Sequence, residues 1–346
     1  MRLGIWTPLP HTIKAEPAME AGVRQVKTRG FSGTDKSFEF ALDVVSQGEA
    51  HGFDITLIAE RLSGPDLEAW MLTAALAART KTLQVMPAVY PGMITPQLAA
   101  KMGATLDRIT DGRFAINVVN GWNQPEFELF SNGGWIGSSE ARYNRMNEFV
   151  QVLRGLWTED HFTFHGEFYH VEDASLPMKP VRTPHPPIYT ASRTDSGKDV
   201  IAQYCDLWFV NYTADYRRYD ENFALIRRDT ADLAERASHF GRKLSFGMSA
   251  HVICADTMQE AHARADELEA YGRRDRVSST AARGLGASLV GTPDLVAERM
   301  CRYEEAGVEL FLLNFHPMLA GLQTFVSSVM PLLPGHATMP RLARPA

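Results

Sequence analysis

Cysteine is scarce in this chain of 346 residues, and the three present, Cys205, Cys254 and Cys301, are far apart in sequence. They make no metal-ligand spacing. Cys205 and Cys254 fall in or beside apolar strand-like runs, which favours buried, reduced thiols. Positive charge is also in short supply, with 35 Lys and Arg against 41 Asp and Glu and a net charge of −6. That balance gives no basic footprint for nucleic acid. The pairs Arg217-Arg218, Arg227-Arg228 and Arg273-Arg274 sit among acidic residues in helical text and read as solvated faces. No apolar run approaches transmembrane length, and the amino terminus lacks the basic start and apolar stretch of a signal peptide. The cytoplasm is therefore the expected compartment, with no membrane or nucleic-acid partner.

Several catalytic signatures are missing as well. No paired carboxylates of the glycosidase kind appear. No His/Asp/Glu trio has metal-ligand spacing, so no metal is expected. There is no nucleophile elbow. A dinucleotide fingerprint would need G-x-G-x-x-G between a strand and a helix; Gly284-Leu285-Gly286 is the near match, with the wrong spacing and position.

What is present is alternation. With 45% apolar and 22% charged residues the composition is that of an ordinary globular protein. Strand-like runs are expected at Arg2 to Pro8, Asp54 to Ala59, Leu83 to Val89, Arg113 to Val119, Ile188 to Ala191, Leu207 to Asn211, Ser245 to Ala255 and Glu309 to Phe315. Helical text separates them, as in Ser37 to His51, Thr95 (a cap before Pro96) to Ile109, Ser139 to Trp157 and Arg217 to His239. Phe127 to Gly137 reads as a long loop, Phe162 to Val171 as a small hairpin, and Thr292 as the cap of a helix to Ala306. Near-continuous apolar strands alternating with helices imply parallel β structure buried on both faces. Eight repeats predict an α/β fold closed as a TIM (β/α)8 barrel, with a doubly wound sheet as the alternative. Nothing divides the chain, so residues 1–346 are read as a single domain with insertions. Two stretches exceed plain connections: Thr7 to Lys36, and Gly272 to Gly291, which is expected to be a lid after strand seven.

In a barrel the functional groups stand at the carboxyl ends of the strands. The expected ring comprises His11, Glu60-Arg61, Tyr90, then Asn117, Asn120, Trp122 and Asn123, followed by Thr190, Ser192, Arg193 and Thr194, Asn211-Tyr212, His251 and Phe315-His316. Amides, hydroxyls, arginines and aromatics suit an aromatic, phosphate-bearing cofactor that carries the chemistry itself. Each candidate has a plainer reading too. His251 reads equally as a core histidine, His11 as a loop histidine, Trp122 as packing, and Arg142-Tyr143 as surface. Thr194 opens a helix, where phosphate binds.

The stretches Lys101-Met102-Gly103-Ala104-Thr105-Leu106-Asp107-Arg108, Gly112-Arg113-Phe114 through Glu126-Phe127, and Glu140-Ala141-Arg142-Tyr143 carry a resemblance. Leu289-Val290-Gly291-Thr292 with Val296-Ala297-Glu298-Arg299 adds a commoner piece. Over nearly its whole length the chain resembles the bacterial luciferase-like flavin monooxygenases, particularly the alkanesulfonate, dimethylsulfone and pyrimidine oxygenase branch. The resemblance implies reduced FMN, delivered by a separate NAD(P)H-dependent flavin reductase. With O2 as co-substrate it would form a flavin peroxide or hydroperoxide that transfers one oxygen atom, in a homodimer or homotetramer. By the same resemblance Asn117, Glu126, Arg142, Tyr143 and Thr194 contact the cofactor, with Glu60 and Arg61 facing its ring. His251, Arg283 on the lid, His11 and Trp122 then carry the catalytic roles. Two departures stand out: Ser249 replaces the arginine two positions before the strand-seven histidine, and Phe315 replaces a tyrosine. Loss of that guanidinium argues against an anionic sulfonate, leaving a neutral sulfone or an N-heterocycle or amide as the expected substrate. The alternatives are an alkanesulfonate monooxygenase, a deazaflavin-dependent oxidoreductase on the same barrel, and a non-catalytic flavin-binding protein.

Overall fold

The computed structural model describes residues 1–9, 35–64, 66–131, 134–192, 194–272 and 283–336. Its eleven strands, in chain order, are β1 (Arg2–Trp6), β2 (Ile55–Ile58), β3 (Gln84–Val89), β4 (Ile116–Val118), β5 (Phe162–His165), β6 (His170–Ala174), β7 (Ile188–Thr190), β8 (Leu207–Phe209), β9 (Ser245–Cys254), β10 (Val290–Gly291) and β11 (Val308–Phe315). Strands β1, β2, β3, β4, β7 and β8 follow one another in parallel; β8 pairs with β9, β9 with β11, and β11 with β1, so the sheet closes on itself. This is the expected eight-stranded TIM barrel, and the doubly wound alternative is set aside. β5 and β6 form the expected hairpin, packed outside the barrel.

Alternate residues of each strand serve two cores. Ile55, Leu57, Met86, Ala88, Ala115, Tyr189, Leu207, Phe209, Leu310 and Leu312 fill the lumen, with Trp6 and Val119 above them. Leu3, Ile5, Ile58, Val89, Ile116 and Val118 point outward into the helical shell. Burial on both faces is why the strand text is apolar throughout rather than alternating. Where β1 crosses the lumen only glycine fits: a Cβ on Gly4 would lie 2.8 Å from Ile55 Cγ2 and 2.9 Å from Leu312 Cδ1.

Helix starts follow local chemistry. Thr95 Oγ1 accepts from Leu98 N, Ser138 Oγ from Ala141 N, and Thr194 Oγ1 from Gly197 N, each satisfying a donor that the first turn leaves free. Thr292 stands at its expected cap position, but its side chain makes no capping bond. Glu68, with no such role expected, caps the Ala69–Ala77 helix through both carboxylate oxygens.

One stretch differs from expectation. The loop expected at 127–137 begins inside a helix, Gln124–Phe130, opened by Pro125 in its first turn. Residues 273–282 of the expected lid lie outside the described residues, as do His11 and Arg193. The rest of that lid is packed structure: a 3-10 turn, Gly284–Ala287, leads into β10, with Leu285, Ala287 and Leu289 fully buried.

The lumen packing makes a direct forecast. Gly4→Val inserts branched carbon between Ile55 and Leu312 and is expected to destabilise the fold by about 1–3 kcal/mol. An unchanged denaturation midpoint would contradict this account of the lumen.

Candidate active site at the carboxyl ends of the strands

The strand ends gather polar groups in a cavity of about 150 Å³ lined by Trp6, Leu57, Ala59, Glu60, Arg61, Ala88, Tyr90, Asn117, Val119 and Trp122. Residue parity explains the gathering. Just before β4, Ala115 faces the lumen, so Asn117 faces it two residues higher and stays buried at the barrel mouth. β2 ends at Ile58, and the chain then turns Glu60 and Arg61 into the same space.

Charge here is tightly managed. Arg61 is buried, its guanidinium 5.1 Å above the Trp122 ring and its Nη1 3.8 Å from Glu126 Oε2. Glu126, 1% exposed, is fixed from its other oxygen by Ser63, whose N–H donates at 2.8 Å and whose hydroxyl donates at 2.9 Å. Neither Arg61 Nε nor Nη1 has a hydrogen-bond partner among the described residues, and nor does Glu60 Oε1. Burial, reinforced by the nearby Glu68 carboxylate, pushes the Glu60 carboxyl up to about 8. It is thus chiefly neutral at pH 7, able to donate a hydrogen bond. Tyr90 donates its hydroxyl to the Glu60 carbonyl at 3.0 Å and closes the wall.

A line of rings continues from this cavity. Tyr90 meets Phe127 (6.2 Å between centroids), Phe127 meets Trp135 (5.6 Å), and Arg142 lies 4.5 Å over Trp135. Arg142 also donates to the Ile136 and Gly137 carbonyls, while its buried Nε has no hydrogen-bond partner among the described residues. Tyr143 turns the other way, toward the start of the Asp195–Tyr204 helix. A Cβ on Gly197 would lie 2.7 Å from Tyr143 Cε1 and 2.0 Å from Ser192 Oγ. Bare glycine therefore leaves the first turn of that helix, capped by Thr194, closely packed beside Tyr143. Oriented amide groups of this kind favour an anion.

The third grouping lies across the mouth. In β9, Gly247, Ser249 and His251 share the lumen-facing parity. Ser249 Oγ accepts from Trp6 Nε1 at 2.9 Å, and Tyr212 donates its hydroxyl to the Ser249 carbonyl. His251 is buried under Gly284, where a Cβ would lie 2.4 Å from its ring. Its Nδ1 has no partner among the described residues, so the reading of a core histidine bonded to a neighbour gains no support. Burial, with His316 beside it, pushes the imidazole down to about 3, leaving it neutral at pH 7. Arg283 is exposed at the rim and lines a cavity of about 300 Å³ with Val210, Asn211, Tyr212, Thr213 and Ala214. Phe315 does not join the mouth. Its parity is opposite to that of Leu310 and Leu312, and it packs outward on Phe325 at 5.5 Å.

The structure thus brings Glu60, Arg61, Asn117, Trp122 and Glu126 into one neighbourhood, Arg142, Tyr143 and Thr194 into a flanking one, and His251 and Arg283 onto the opposite wall. Two supporting residues escaped the sequence reading. Ser63 supports Glu126 from a distant point in the chain. Arg145 is buried, donates to the Gly134 carbonyl at 2.5 Å, and fills the space a Cβ on Gly92 would take. Its only sequence signal is its place one turn beyond Arg142.

A closed parallel barrel with a polar, partly unpaired ring at its carboxyl mouth defines an enzyme of the α/β-barrel class. Comparison with known proteins narrows the class. The model of the luciferase-like monooxygenase family matches residues 1–310. The FMNH2-dependent dimethylsulfone monooxygenase of Pseudomonas putida is 31% identical over 324 residues, covering 86% of this chain and 84% of that protein. Its counterpart in Pseudomonas fluorescens (strain Pf0-1) is 30% identical over 333 residues, covering 87% and 88%. Among solved structures, EDTA monooxygenase from Chelativorans sp. BNC1 superposes with a TM-score of 0.77 at 18% identity, over 99% of this chain and 95% of that one, a likeness of fold alone. The chain belongs to the luciferase-like monooxygenase family and is an enzyme.

The raised Glu60 carboxyl has a measurable consequence. An unfolded glutamate ionises near 4.5, so between there and about 8 the folded chain holds a proton that the unfolded chain has released. Stability contributed by Glu60 therefore falls as pH rises through that window, by at most about 1.4 kcal/mol per pH unit. Glu60→Gln cannot ionise, and its unfolding midpoint is expected to fall less steeply between about pH 5 and pH 8. Parallel curves for the two proteins would show that Glu60 ionises normally.

Proposed function

We propose that this enzyme uses reduced FMN and O2 to oxygenate a small neutral organosulfur compound of the sulfone type. The observation that carries the reading is the set of buried atoms at and beside the barrel mouth that have no hydrogen-bond partner among the described residues: Glu60 Oε1, Arg61 Nε and Nη1, Arg142 Nε and His251 Nδ1. Buried polar atoms are rarely left unpaired without a purpose, and a flavin offers ring nitrogens, carbonyls and a phosphate to meet such groups. Asn117, Glu126, Glu60 and Arg61 would hold the ring, with Arg142, Tyr143 and Thr194 toward the phosphate. The 150 Å³ cavity is smaller than the roughly 300–1,000 Å³ of ordinary ligand sites, so the cofactor extends past it. The named activity of the two Pseudomonas relatives supports FMN over a deazaflavin.

Reduced FMN supplies two electrons to O2, so that one oxygen atom passes to the substrate and the other leaves as water. The chain's own groups bind, orient and exclude water. Trp122 covers Arg61, whose charge Glu126 balances, and neutral Glu60 offers a proton donor at the cavity wall. His251, neutral and facing the lumen, is available as a hydrogen-bond partner. Two features favour a neutral substrate over a sulfonate. Arg61 already faces a carboxylate, and the Ser249 hydroxyl is occupied by Trp6. An N-heterocycle or amide is the second substrate class compatible with such a lining.

A separate NAD(P)H-dependent flavin reductase would deliver the reduced cofactor. We further place a single-domain chain in the cytoplasm, as a homodimer or homotetramer. Buried free thiols at Cys205 and Cys254 suit that compartment, and no helix among the described residues is long and apolar enough to cross a membrane.

With reduced FMN regenerated by a generic reductase, dimethyl sulfone or a close homologue is expected to be consumed in an O2-dependent reaction, with one added oxygen traced by mass. Turnover of sulfonates or pyrimidines instead would overturn the substrate, and no O2-dependent turnover of any of them would overturn the function. Arg283→Ala opens the rim and is expected to divert reduced FMN to hydrogen peroxide. An unchanged ratio of peroxide to product would remove Arg283 from the site.

A further inference from the structure

Outside the barrel mouth, the described residues contain one cluster with the composition of a metal site, although no such spacing is visible in sequence. It lies on the β5–β6 hairpin and comprises His165, His170 and Glu172, whose ligand atoms all lie within 4.8 Å of one another. His165 and His170 are direct cross-strand partners. Their rings stack with centroids 4.4 Å apart and planes 11° from parallel. Both imidazoles address one carboxylate oxygen: Glu172 Oε2 lies 2.7 Å from His165 Nε2 and 3.8 Å from His170 Nε2.

The backbone beneath the cluster is held firmly. Glu148 accepts the N–H groups of Glu167, Phe168 and Tyr169 at 2.8–3.0 Å, tying the turn to the Ser139–Thr158 helix. Gly166 N donates to the Tyr169 carbonyl at 2.9 Å. Phe162 occupies the space a Cβ on Gly155 would need. The three side chains themselves are more than half exposed, at 59%, 66% and 66%. A fixed frame thus presents rings that are free to rotate.

We infer that the hairpin binds a first-row divalent cation of the zinc type through His165 Nε2, His170 Nε2 and the Glu172 carboxylate. Two imidazoles and one carboxylate suit zinc, copper or nickel; magnesium and calcium prefer all-oxygen sets. Bonds of about 2.0–2.2 Å in a tetrahedral site bring ligand atoms to within about 3.5 Å of each other. The rings need to close by only about 1 Å, which exposed side chains achieve by rotation without moving the strands. Water completes the coordination. As a plain surface cluster, by contrast, these ion pairs would be worth about 0–1 kcal/mol each. His161 is engaged separately, its Nδ1 2.8 Å from Asp173 Oδ1, and is not assigned as a ligand.

The cluster is separate from the barrel mouth, so its test does not depend on turnover. Full-length protein, stripped with a chelator and dialysed, is titrated with zinc against a chromophoric competitor. One zinc per chain is expected to bind at micromolar concentration. His165→Gln, His170→Gln and Glu172→Gln are each expected to weaken it by more than the roughly tenfold that loss of an outer-shell partner costs. In zinc-soaked crystals of the unsubstituted protein, an anomalous peak is expected between the three side chains. No saturable binding, equal binding in the triple variant, or an anomalous peak only at another place would each overturn the assignment.

Discussion

A guanidinium buried at the mouth of a barrel must be balanced, and much of this active end is arranged around that need. A charge held away from water needs a counter-charge, so an acid has to come to Arg61. Glu126 does so, carried on the short helix Gln124–Phe130 and held by Ser63 from the loop that follows β2. Bringing that helix in folds the Asn120–Asn123 turn over the cavity and lays Trp122 against Arg61. Phe127, on the same helix, starts the row of rings that ends at Arg142. Gly121 is required for this approach, because a Cβ there would meet the Phe127 ring at 2.2 Å. One ion pair thus couples the ends of β2 and β4 to the helix beginning at Ser139.

The fold was largely legible because a parallel barrel writes itself plainly. Strands buried on two faces cannot hide in the text, and caps such as Thr95 and Thr194 sit beside the helices they start. The site was legible as a set of strand ends, and the luciferase-like family followed from motifs in the Pro96–Ile109 and Ser139–Thr158 helices and in the stretch through β4. What stayed hidden depends on parity and on distance. Phe315 ends its strand like the other ring members, yet one residue of parity turns it into the outer shell. The Gln124–Phe130 helix was obscured by asparagine and glycine text, although Pro125 is a proper opening residue. Ser63 and Arg145 left no local mark because their partners are loop atoms elsewhere in the chain. The histidine cluster escaped for the same reason, since cross-strand neighbours in a hairpin obey no helical or motif spacing.

Charge at the mouth is largely cancelled locally. Glu126 answers Arg61, Glu60 keeps its proton near neutrality, and His251 stays unprotonated. Around the cavity, Glu60, Arg61, Asn117 and Glu126 together contribute polarity with little net charge. Under the function proposed above, the flavin phosphate would lie apart from the cavity, toward Arg142 and the helix that begins at Asp195.

The bond from Trp6 to Ser249 joins the first strand of the barrel to the seventh across the lumen, and it makes two positions interdependent. Restoring an arginine at Ser249 would drive a long cation into the indole and would strip that indole of its acceptor. Replacing Trp6 alone would leave a void with no charge to use it. Because the two side chains share one hydrogen bond, substitutions at Trp6 and Ser249 are expected to be non-additive.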